Sequence, residues 1–469
     1  MTEGKSTMMN HAPRFWGVAV CLFAALVFTS PGPTDAAVIY VKADAGGANN
    51  GSSWLDAYND LQAALAAAEA GDSVWVAVGT YKPAAGTDRT ATFLMENGVA
   101  LVGGFTGVET SVSERVIRFH RAILSGEIGI ADKDDNSYHV VSALNADSTA
   151  VLDGFVVTGG NASGAAPHDV GGGLTVIGGN PTVRNTRFDD NAGTKGGGAS
   201  FSGSRAMVVN AAFTRNFAAY GGAMCTLGGG HEIIVNTSVA GDSVQFLGSG
   251  IYNVGSYPKV INSIVWANRG IGQVVSLGGV VTFCYSDVEG SGGSGSWNPI
   301  YGIDCGHNLD VDPLLLSVWN GDVHLRPGSP AINMGDNAAP GLPPTDFDGD
   351  PRILDNAIDI GADEYTDPTG IEDRSEVPKP RIRSVYPNPF NPTVTVSYDL
   401  DTRERVSVAV FDVGGRRVRA LHQGVENPGS HRATWDAVDD AGRRVASGVY
   451  FIEVKSNAWR DYRKVILVK

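Results

Sequence analysis

The sequence has little positive charge for its length. Its 469 residues include 35 Lys and Arg against 50 Asp and Glu, a formal net charge of −15. Residues 1–380 hold 20 basic and 40 acidic residues, whereas residues 381–469 hold 15 basic and 10 acidic residues. Nucleic-acid binding needs a positive face, so we expect no nucleic-acid partner for the acidic body. The basic end could contact anionic surface polymers, although a solvated Arg-rich surface is the simpler interpretation.

Cysteine is also scarce, with four residues in the whole chain. Cys21 lies in an N-terminal apolar run, which leaves Cys225, Cys284 and Cys305 in the rest of the sequence. An odd number in an exported protein leaves a thiol that is free or paired with another chain. Cys284 and Cys305 stand about one sequence repeat apart, so we expect that they can approach closely enough to form a disulfide.

Long apolar runs are missing except for one near the N-terminus. Residues 15–28 follow Lys5 and Arg14 and precede small residues near Ala36 and Ala37, which is typical of a secretory signal peptide. The run is shorter than the ~17 apolar residues that a membrane-spanning helix needs, so an uncleaved anchor is the less favoured alternative. We therefore expect residues 1–37 to be a signal peptide. The mature chain would then be exported, with no transmembrane span.

Glycine is abundant, at 61 residues, and it marks a repeat in the middle of the chain. Two polar positions and one apolar position recur every 25 or 26 residues, with glycine-rich motifs between them. The first polar row is Asn185, Asn210, Asn236 and Asn262, the apolar row is Phe188, Phe213, Val239 and Val265, and the second polar row is Asn191, Asn216, Asp242 and Asn268. This period predicts one coil of a parallel β-helix, in which neighbouring coils stack and equivalent residues form ladders. We interpret the first row as a turn ladder of stacked amides, with a ligand-binding row as the alternative.

A helix is expected before the repeats. Tyr58, Leu61, Leu65 and Ala68 share one helical face, and Gly71 provides an end. The first coil of a solenoid has an apolar end that must be covered. We therefore predict that this helix caps the β-helix, which makes the fold class all-β with an N-terminal capping helix.

The last 89 residues indicate a separate β domain. Pro387, Pro389 and Pro392 predict an extended, non-helical entry. Strict alternation of apolar and polar residues follows from Val394, which is typical of a half-buried strand. The remaining segments are typical of short antiparallel strands, with turns at residues 413–416 and 439–443. A small sandwich is expected, and its core would contain Trp435, Tyr450, Phe451 and the alternating valines.

Three groups of motifs carry a family resemblance. "IYVKADAGGANNGSSWLDAYNDLQAAL" and "VLDGFVVTGGNA" resemble the start of exported bacterial right-handed parallel β-helix proteins of pectin-lyase-like fold. "DVHLRPGSPAINMGD" and "DFDGDPRILDNAIDIGADEY" resemble the choice-of-anchor Q module, and "YPNPFNP" and "ASGVYFIEV" resemble the type IX secretion sorting domain and the flagellar hook-capping (FlgD) Ig-like domain. The resemblance implies a β-helix over 38–366 that includes the choice-of-anchor part from about 300, a linker over 367–380, and a C-terminal Ig-like domain over 381–469. It further implies contact of the last domain with outer-membrane secretion machinery, and a location that is extracellular or at the outer-membrane cell surface. A plain accessory Ig-like module is the alternative.

Acidic residues near the end of the β-helix suggest a metal. Asp346, Asp348, Asp350 and Asp359 offer hard oxygen ligands that suit calcium, and Asp363 and Glu364 follow closely. The spacing departs from an EF-hand, because the twelfth position from Asp346 is Ala357. We favour turn carboxylates that accept backbone N–H groups and pair with Arg352, and we expect no required cofactor.

The function class stays open at this stage. The histidines lack metal-ligand spacing, and no phosphate loop, nucleophile elbow or dinucleotide motif is present. We name no catalytic residue, and we favour adhesion or binding of an extracellular polysaccharide over catalysis. The candidate contact residues are Tyr220, Tyr252, Tyr257, Trp266 and Trp297. The alternatives are a polysaccharide lyase or glycoside hydrolase on the same fold, and a structural surface component without a ligand.

Overall fold

The computed structural model describes residues 36–130, 133–366, 382–400, 404–412, 416–427, 429–455 and 460–468. The chain divides into two compact units, one up to Asp367 and one from Pro368. The expected linker over 367–380 lies outside the described residues, as do most of the expected signal peptide and most of the expected turn at 413–416. None of the described helices is long and apolar enough to cross a membrane.

The first unit is a parallel β-helix, as the repeat predicts. Four sheets run along it, and within each sheet neighbouring strands are parallel and come from successive coils. Sheet A contains Val38–Val41, Ser73–Ala77, Ala100–Phe105, Val151–Asp153, Thr182–Arg184, Met207–Val209, Ile233–Val235, Lys259–Ile261, Thr282–Cys284 and Ile303–Asp304. Sheet B contains Thr80–Tyr81, Ala122–Ser125, Phe155–Thr158, Arg187–Asp189, Ala212–Thr214, Ser238–Ala240, Ile264–Trp266 and Asp287–Val288.

Two further sheets complete each coil. Sheet C contains Phe93–Leu94, Val141–Leu144, Leu174–Ile177, Ala199–Ser202, Met224–Leu227, Ile251–Val254 and Val274–Leu277. Sheet D is shorter and contains Asn161–Ala162, Ala192–Lys195, Phe217–Tyr220 and Ser243–Leu247. The first glycine of each glycine-rich motif forms the turn from sheet D to sheet C. Gly196 shows why the turn needs glycine: its φ is +68°, and a Cβ atom there would lie 2.2 Å from the Ala199 carbonyl oxygen.

The interior of the coils is apolar and stacked. Phe188 and Phe213 come from adjacent coils, and their rings lie 4.7 Å apart and nearly parallel. Val239 and Val265 continue the row and are also buried. The apolar row of the repeat is therefore the inward face of sheet B, since side chains along a strand alternate between its two faces.

The capping helix forms at the N-terminal end, over Leu61–Ala67. Asp60 caps it by accepting a hydrogen bond from the Gln62 N–H at 2.9 Å. Leu61 and Ala64 are buried in the core of the coils. The helix ends before Ala68, so the predicted end at Gly71 was late. The remaining helical turns are Val112–Glu114, Ile117–His120, Lys133–Asp135, Pro299–Tyr301 and Val318–Asn320.

The first asparagine row lies at the turn between sheets A and B. All four residues have positive φ, between 45° and 50°, which asparagine tolerates better than most residues. The Asn210 amide donates to Asn185 Oδ1 at 3.1 Å, and the Asn262 amide donates to Asn236 Oδ1 at 3.3 Å. The two pairs are not joined to each other among the described contacts, because residues from near the end of the unit bind between them.

The pairing of the cysteines agrees with their spacing in the sequence. Cys284 and Cys305 form a disulfide with a Cα–Cα distance of 5.0 Å. Cys225 is a buried free thiol on sheet C, and burial raises its pKa to about 12.

The second unit consists of antiparallel strands. One sheet contains Ile382–Tyr386, Val394–Leu400 and Gly429–Trp435, and the other contains Arg417–Glu426, Glu404–Asp412, Gly448–Lys455 and Arg460–Leu467. The prolines connect the first two strands instead of preceding the first one, and Phe390 between them is buried 5.4 Å from Trp435. Trp435 and Tyr450 lie in the core as predicted. Phe451 was wrongly assigned to the core, because Tyr450, Ile452 and Val454 take the inward positions of its strand.

Candidate functional site

The outer face of sheet B is covered by a C-terminal segment, residues 309–365. This segment includes the hairpin strands Leu315–Ser317 and Asp322–Leu325. Its apolar side chains pack on the outward residues of sheet B. The cluster includes Ala212, Ala240 and Ile264 from sheet B, with Leu315, Val323, Leu325, Phe347, Ile360 and Ala362 from the segment. The sheet face that would otherwise be open is therefore occupied by the chain itself.

Arg352 holds this segment to the turn ladder. Its side chain is 1% exposed. It donates to Glu364 Oε1 at 2.8 Å, to Asn210 Oδ1 at 2.9 Å and to the Ala362 carbonyl oxygen at 3.1 Å. Of the carboxylates predicted to pair with Arg352, Glu364 is the one that does so among the described residues. Asn236 also binds the segment to the turn ladder. Its amide donates to the carbonyl oxygens of Asp359 and Gly361 at 3.1 Å.

Two of the four expected calcium ligands accept hydrogen bonds from the backbone. Asp346 Oδ1 accepts the N–H groups of Asp348, Gly349 and Asp350 at 2.8–2.9 Å. Burial raises the pKa of Asp346 to about 6. Asp359 accepts the N–H groups of Asn333 and Tyr365 at 2.7 and 2.6 Å. These contacts fit the interpretation as turn carboxylates, and the calcium site remains a prediction.

Asp348, by contrast, points into a charged cluster. His324 donates from Nε2 to Asp348 Oδ2 at 2.6 Å and from Nδ1 to Asp322 Oδ1 at 2.5 Å. The bond to Asp348 raises the pKa of His324 to about 9, against the effect of burial. Burial alone would raise the pKa of Asp348, but the bonds from His324 and Arg121 hold it at about 2. The fourth predicted ligand, Asp350, is half-exposed, with Arg118 as its salt-bridge partner at 3.7 Å.

A pocket of about 350 Å³ opens beside this cluster. It is lined by Arg187, Ser317, Asn320, Gly321, Asp322, Val323, His324 and Phe347. The nearby carboxylate Asp189 is bound by Arg215 and accepts the Thr214 hydroxyl at 2.7 Å. Its neighbour Asp190 follows the strand, with a φ of +56°. The charged groups next to the pocket are therefore mostly paired with one another.

Aromatic side chains gather elsewhere, where sheets D and C meet. The Tyr220 ring lies 5.1 Å from Tyr252 and 5.3 Å from Phe246. Strand pairing places Lys195 next to Tyr220, and Lys195 Nζ bonds Asp169 at 2.7 Å. We call Lys195, Tyr220, Phe246 and Tyr252 the sheet D strip. Phe246 is 45% exposed, whereas Tyr252 is largely buried and forms the floor.

The other three predicted aromatics are dispersed. Tyr257 is 49% exposed and stacks on His231. Trp266 packs beneath the C-terminal segment. Trp297 covers Phe283 at the end of the core and donates from Nε1 to the Gly302 carbonyl oxygen at 2.8 Å. The structure thus brings together only Tyr220 and Tyr252 of the five.

Phe246 is the aromatic that the sequence reasoning missed. The pairing between Phe217–Tyr220 and Ser243–Leu247 shifts by one residue at a bulge, so that Tyr220 pairs with Leu247. A strict count of 26 residues from Tyr220 gives residue 246, and this count was the signal that could have identified it. Trp319 was missed too, and Arg269 lies 3.6 Å from its ring centroid.

Comparison with known proteins gives one family-model match and similarity to solved structures. Residues 391–458 match the family model of the FlgD Ig-like domain. Among solved structures, pectate lyase Pel9A is similar over 71% of this chain and 98% of its own, at 16% identity and a TM-score of 0.33. PorZ, a surface component of the type IX secretion system of Porphyromonas gingivalis, is similar over 18% of this chain and 11% of its own, at 29% identity and a TM-score of 0.15. No curated protein matches the chain.

These similarities give no information on activity. The fold is assigned from the sheet topology of the structure. The chain combines a parallel β-helix with an antiparallel β domain, and most of that second domain matches the FlgD Ig-like model.

Proposed function

We propose that this chain is an exported, surface-displayed β-helix protein that binds an extracellular polysaccharide without cleaving it. The sheet D strip is the observation that supports this most directly. It offers a partly exposed aromatic pair, Tyr220 and Phe246, beside an ion pair of Lys195 and Asp169. Aromatic faces provide apolar contact area, and the adjacent polar groups provide orientation.

The geometry of the strip suits an extended ligand. Lys195, Tyr220 and Phe246 come from three successive coils, which repeat at about 4.8 Å along the solenoid, and Tyr252 lies on the same coil as Phe246. A linear polymer lying along the coils would therefore meet Lys195, Tyr220 and Phe246 in turn. The face of sheet B offers no such track, since the C-terminal segment covers it.

A polysaccharide lyase or glycoside hydrolase is the second candidate. The pocket beside His324 favours it, because the guanidinium of Arg187 lines that pocket. Guanidinium groups bind carboxylates, such as that of a uronic acid. Glycoside hydrolysis, however, needs two carboxylates that flank the bond, and Asp189 and Asp348 are both held by cationic side chains.

The C-terminal domain is proposed to direct secretion and surface attachment, with outer-membrane secretion machinery as its partner. The match of residues 391–458 to the FlgD Ig-like model and the basic balance of residues 381–469 support this role. Deletion of residues 381–469 should then leave the β-helix inside the cell envelope of a type IX-competent bacterium. If the truncated protein reaches the surface as efficiently as the full chain, the domain is an accessory module.

Binding is tested with purified protein spanning residues 38–469, on a panel of neutral and uronic-acid polysaccharides. We expect retention on at least one polymer and no new chain ends. The double variant Y220A/F246A should lose at least ten-fold in affinity. The control Y257A removes an exposed tyrosine outside the strip and should bind as wild type does.

The remaining outcomes separate the alternatives. New chain ends would overturn the non-catalytic proposal and direct attention to the pocket beside His324. Retention that survives Y220A/F246A would show that the strip is not the binding surface. Absence of both retention and cleavage would favour a structural surface component without a ligand.

A further inference from the structure

The cluster beside the pocket contains three atoms that converge on one point. They are His324 Nε2, Asp348 Oδ2 and Asp363 Oδ1, and Nε2 lies 2.6 Å from the first oxygen and 3.8 Å from the second. One ligand atom from each residue lies within 4.8 Å of the other two. We propose that these three side chains bind a divalent transition-metal ion of the Zn²⁺ type. This proposal is independent of glycan binding by the sheet D strip.

The other polar atom of each proposed ligand is already held by a neighbour. Asp322 accepts the His324 Nδ1–H at 2.5 Å, as in the carboxylate–histidine–metal arrangement of many metal sites. Arg121 donates to Asp348 Oδ1 at 2.9 Å. The Leu325 N–H donates to Asp363 Oδ2 at 3.0 Å. The neighbours thus orient all three side chains and turn one atom of each toward the common point. Asp348 Oδ2 also lies 3.6 Å from Arg118 Nε.

Asp363 has the fewest side-chain hydrogen bonds of the three proposed ligands. Its side chain is 8% exposed, and the Leu325 N–H is its one hydrogen-bond donor among the described residues. Oδ1 faces His324 Nε2 at 3.8 Å, which is within ion-pair distance but too long for a hydrogen bond. A cation between them would satisfy it, and would replace the proton that Nε2 shares with Asp348.

The surroundings leave room for a further ligand. The side chain of His324 is 31% exposed, and the pocket of about 350 Å³ begins at His324 and Asp322. Three protein ligands with an open position are the usual arrangement at reactive zinc sites. The nitrogen ligand also distinguishes this site from the predicted calcium site, because calcium prefers oxygen ligands alone.

The test uses protein spanning residues 38–469, stripped with chelator and titrated with ZnCl₂ by calorimetry. We expect one Zn²⁺ per chain, and a loss of affinity of at least 100-fold in H324Q. The matched control D350N removes an acidic residue of the same segment that lies outside the cluster, and it should bind Zn²⁺ as wild type does. Bound Co²⁺ should show visible d–d absorption in wild type and in D350N.

D322N keeps all three ligands and should weaken Zn²⁺ binding by about 10- to 100-fold, so the proposal stays testable if H324Q fails to fold. Failure of the wild-type chain to bind Zn²⁺, or equal affinity in wild type and H324Q, would overturn it. So would binding of Ca²⁺ alone that survives H324Q and is lost in D350N, because that pattern identifies the oxygen-only site. Glycan retention is measured on the same metal-free protein, so failure of one proposal is distinguished from failure of the other.

Discussion

Asp242 is the one residue of the second polar row that is not asparagine. Its burial leads to a specific prediction about stability. The residue is fully buried. Its Oδ1 accepts both the backbone N–H and the side-chain amide of Asn216 at 2.8 Å, and its own N–H donates to Asn268 Oδ1 at 3.0 Å. Its Oδ2 has no hydrogen-bond partner among the described residues. Burial raises the pKa of Asp242 well above its ordinary value.

The equivalent asparagines of the other coils show which hydrogen bond an asparagine would form at position 242. The amides of Asn191, Asn216 and Asn268 donate to the carbonyl oxygens of Val157, Phe188 and Val239 at 2.9, 2.9 and 3.0 Å. Strand pairing aligns these three residues with Phe213 on the intermediate coil. An asparagine at position 242 would therefore donate to the Phe213 carbonyl oxygen, which a carboxylate cannot do.

We expect D242N to be more stable than wild type by about 1–3 kcal/mol at pH 7. An unpartnered buried polar atom costs about this much, and the substitution replaces it with a hydrogen bond. The pKa of the folded state lies above the unfolded value of about 4. Wild type therefore loses stability as the pH rises from about 4 toward the folded pKa, whereas the amide introduced in D242N does not titrate. The advantage of the variant should shrink to a small value near pH 4.

The measurement is the urea midpoint of both proteins at pH 4, 5.5 and 7. The control D44N neutralises an exposed carboxylate whose side chain is 85% accessible, and it should stay within about 0.5 kcal/mol of wild type. A variant that is less stable than wild type at pH 7 would refute the reasoning. A gain of the same size at pH 4 would refute it as well, since the cost would then be unrelated to ionisation.

Two further predictions concern buried groups. R352M should lower the free energy of unfolding by about 3–5 kcal/mol, because it leaves the buried Glu364 carboxylate without its cation. The double variant R352M/E364Q should recover part of the loss, and equal stability of R352M and wild type would contradict the role of Arg352. Iodoacetamide should leave Cys225 unlabelled in the native protein, because burial raises its pKa to about 12, and labelling at native pH would contradict this. Reduction of Cys284–Cys305 should cost about 3 kcal/mol by the chain-entropy relation, and an unchanged unfolding midpoint after reduction would show that the disulfide adds no stability.

Most of the β-helix could be predicted from the sequence, because its structure repeats. Each coil must bury an apolar residue at the same position and must turn at the same position. Phe188 and Phe213 therefore recur at the spacing of the coil, and asparagine recurs at the position with positive φ. The disulfide follows from the same spacing. Such a period can be recognised in the sequence without any knowledge of the tertiary contacts.

The C-terminal segment could not be placed in this way, since it has no repeat. Its contacts span long separations, such as 142 residues between Arg352 and Asn210 and 227 between Arg121 and Asp348. Which arginine meets which carboxylate depends on how the segment lies on sheet B. The sequence by itself therefore determined the coils, their ladders and the character of the last domain. Only the tertiary structure decided that His324, Asp348 and Asp363 meet, and that Tyr220 joins Phe246 while Trp266 is covered, because burial depends on docking rather than on spacing.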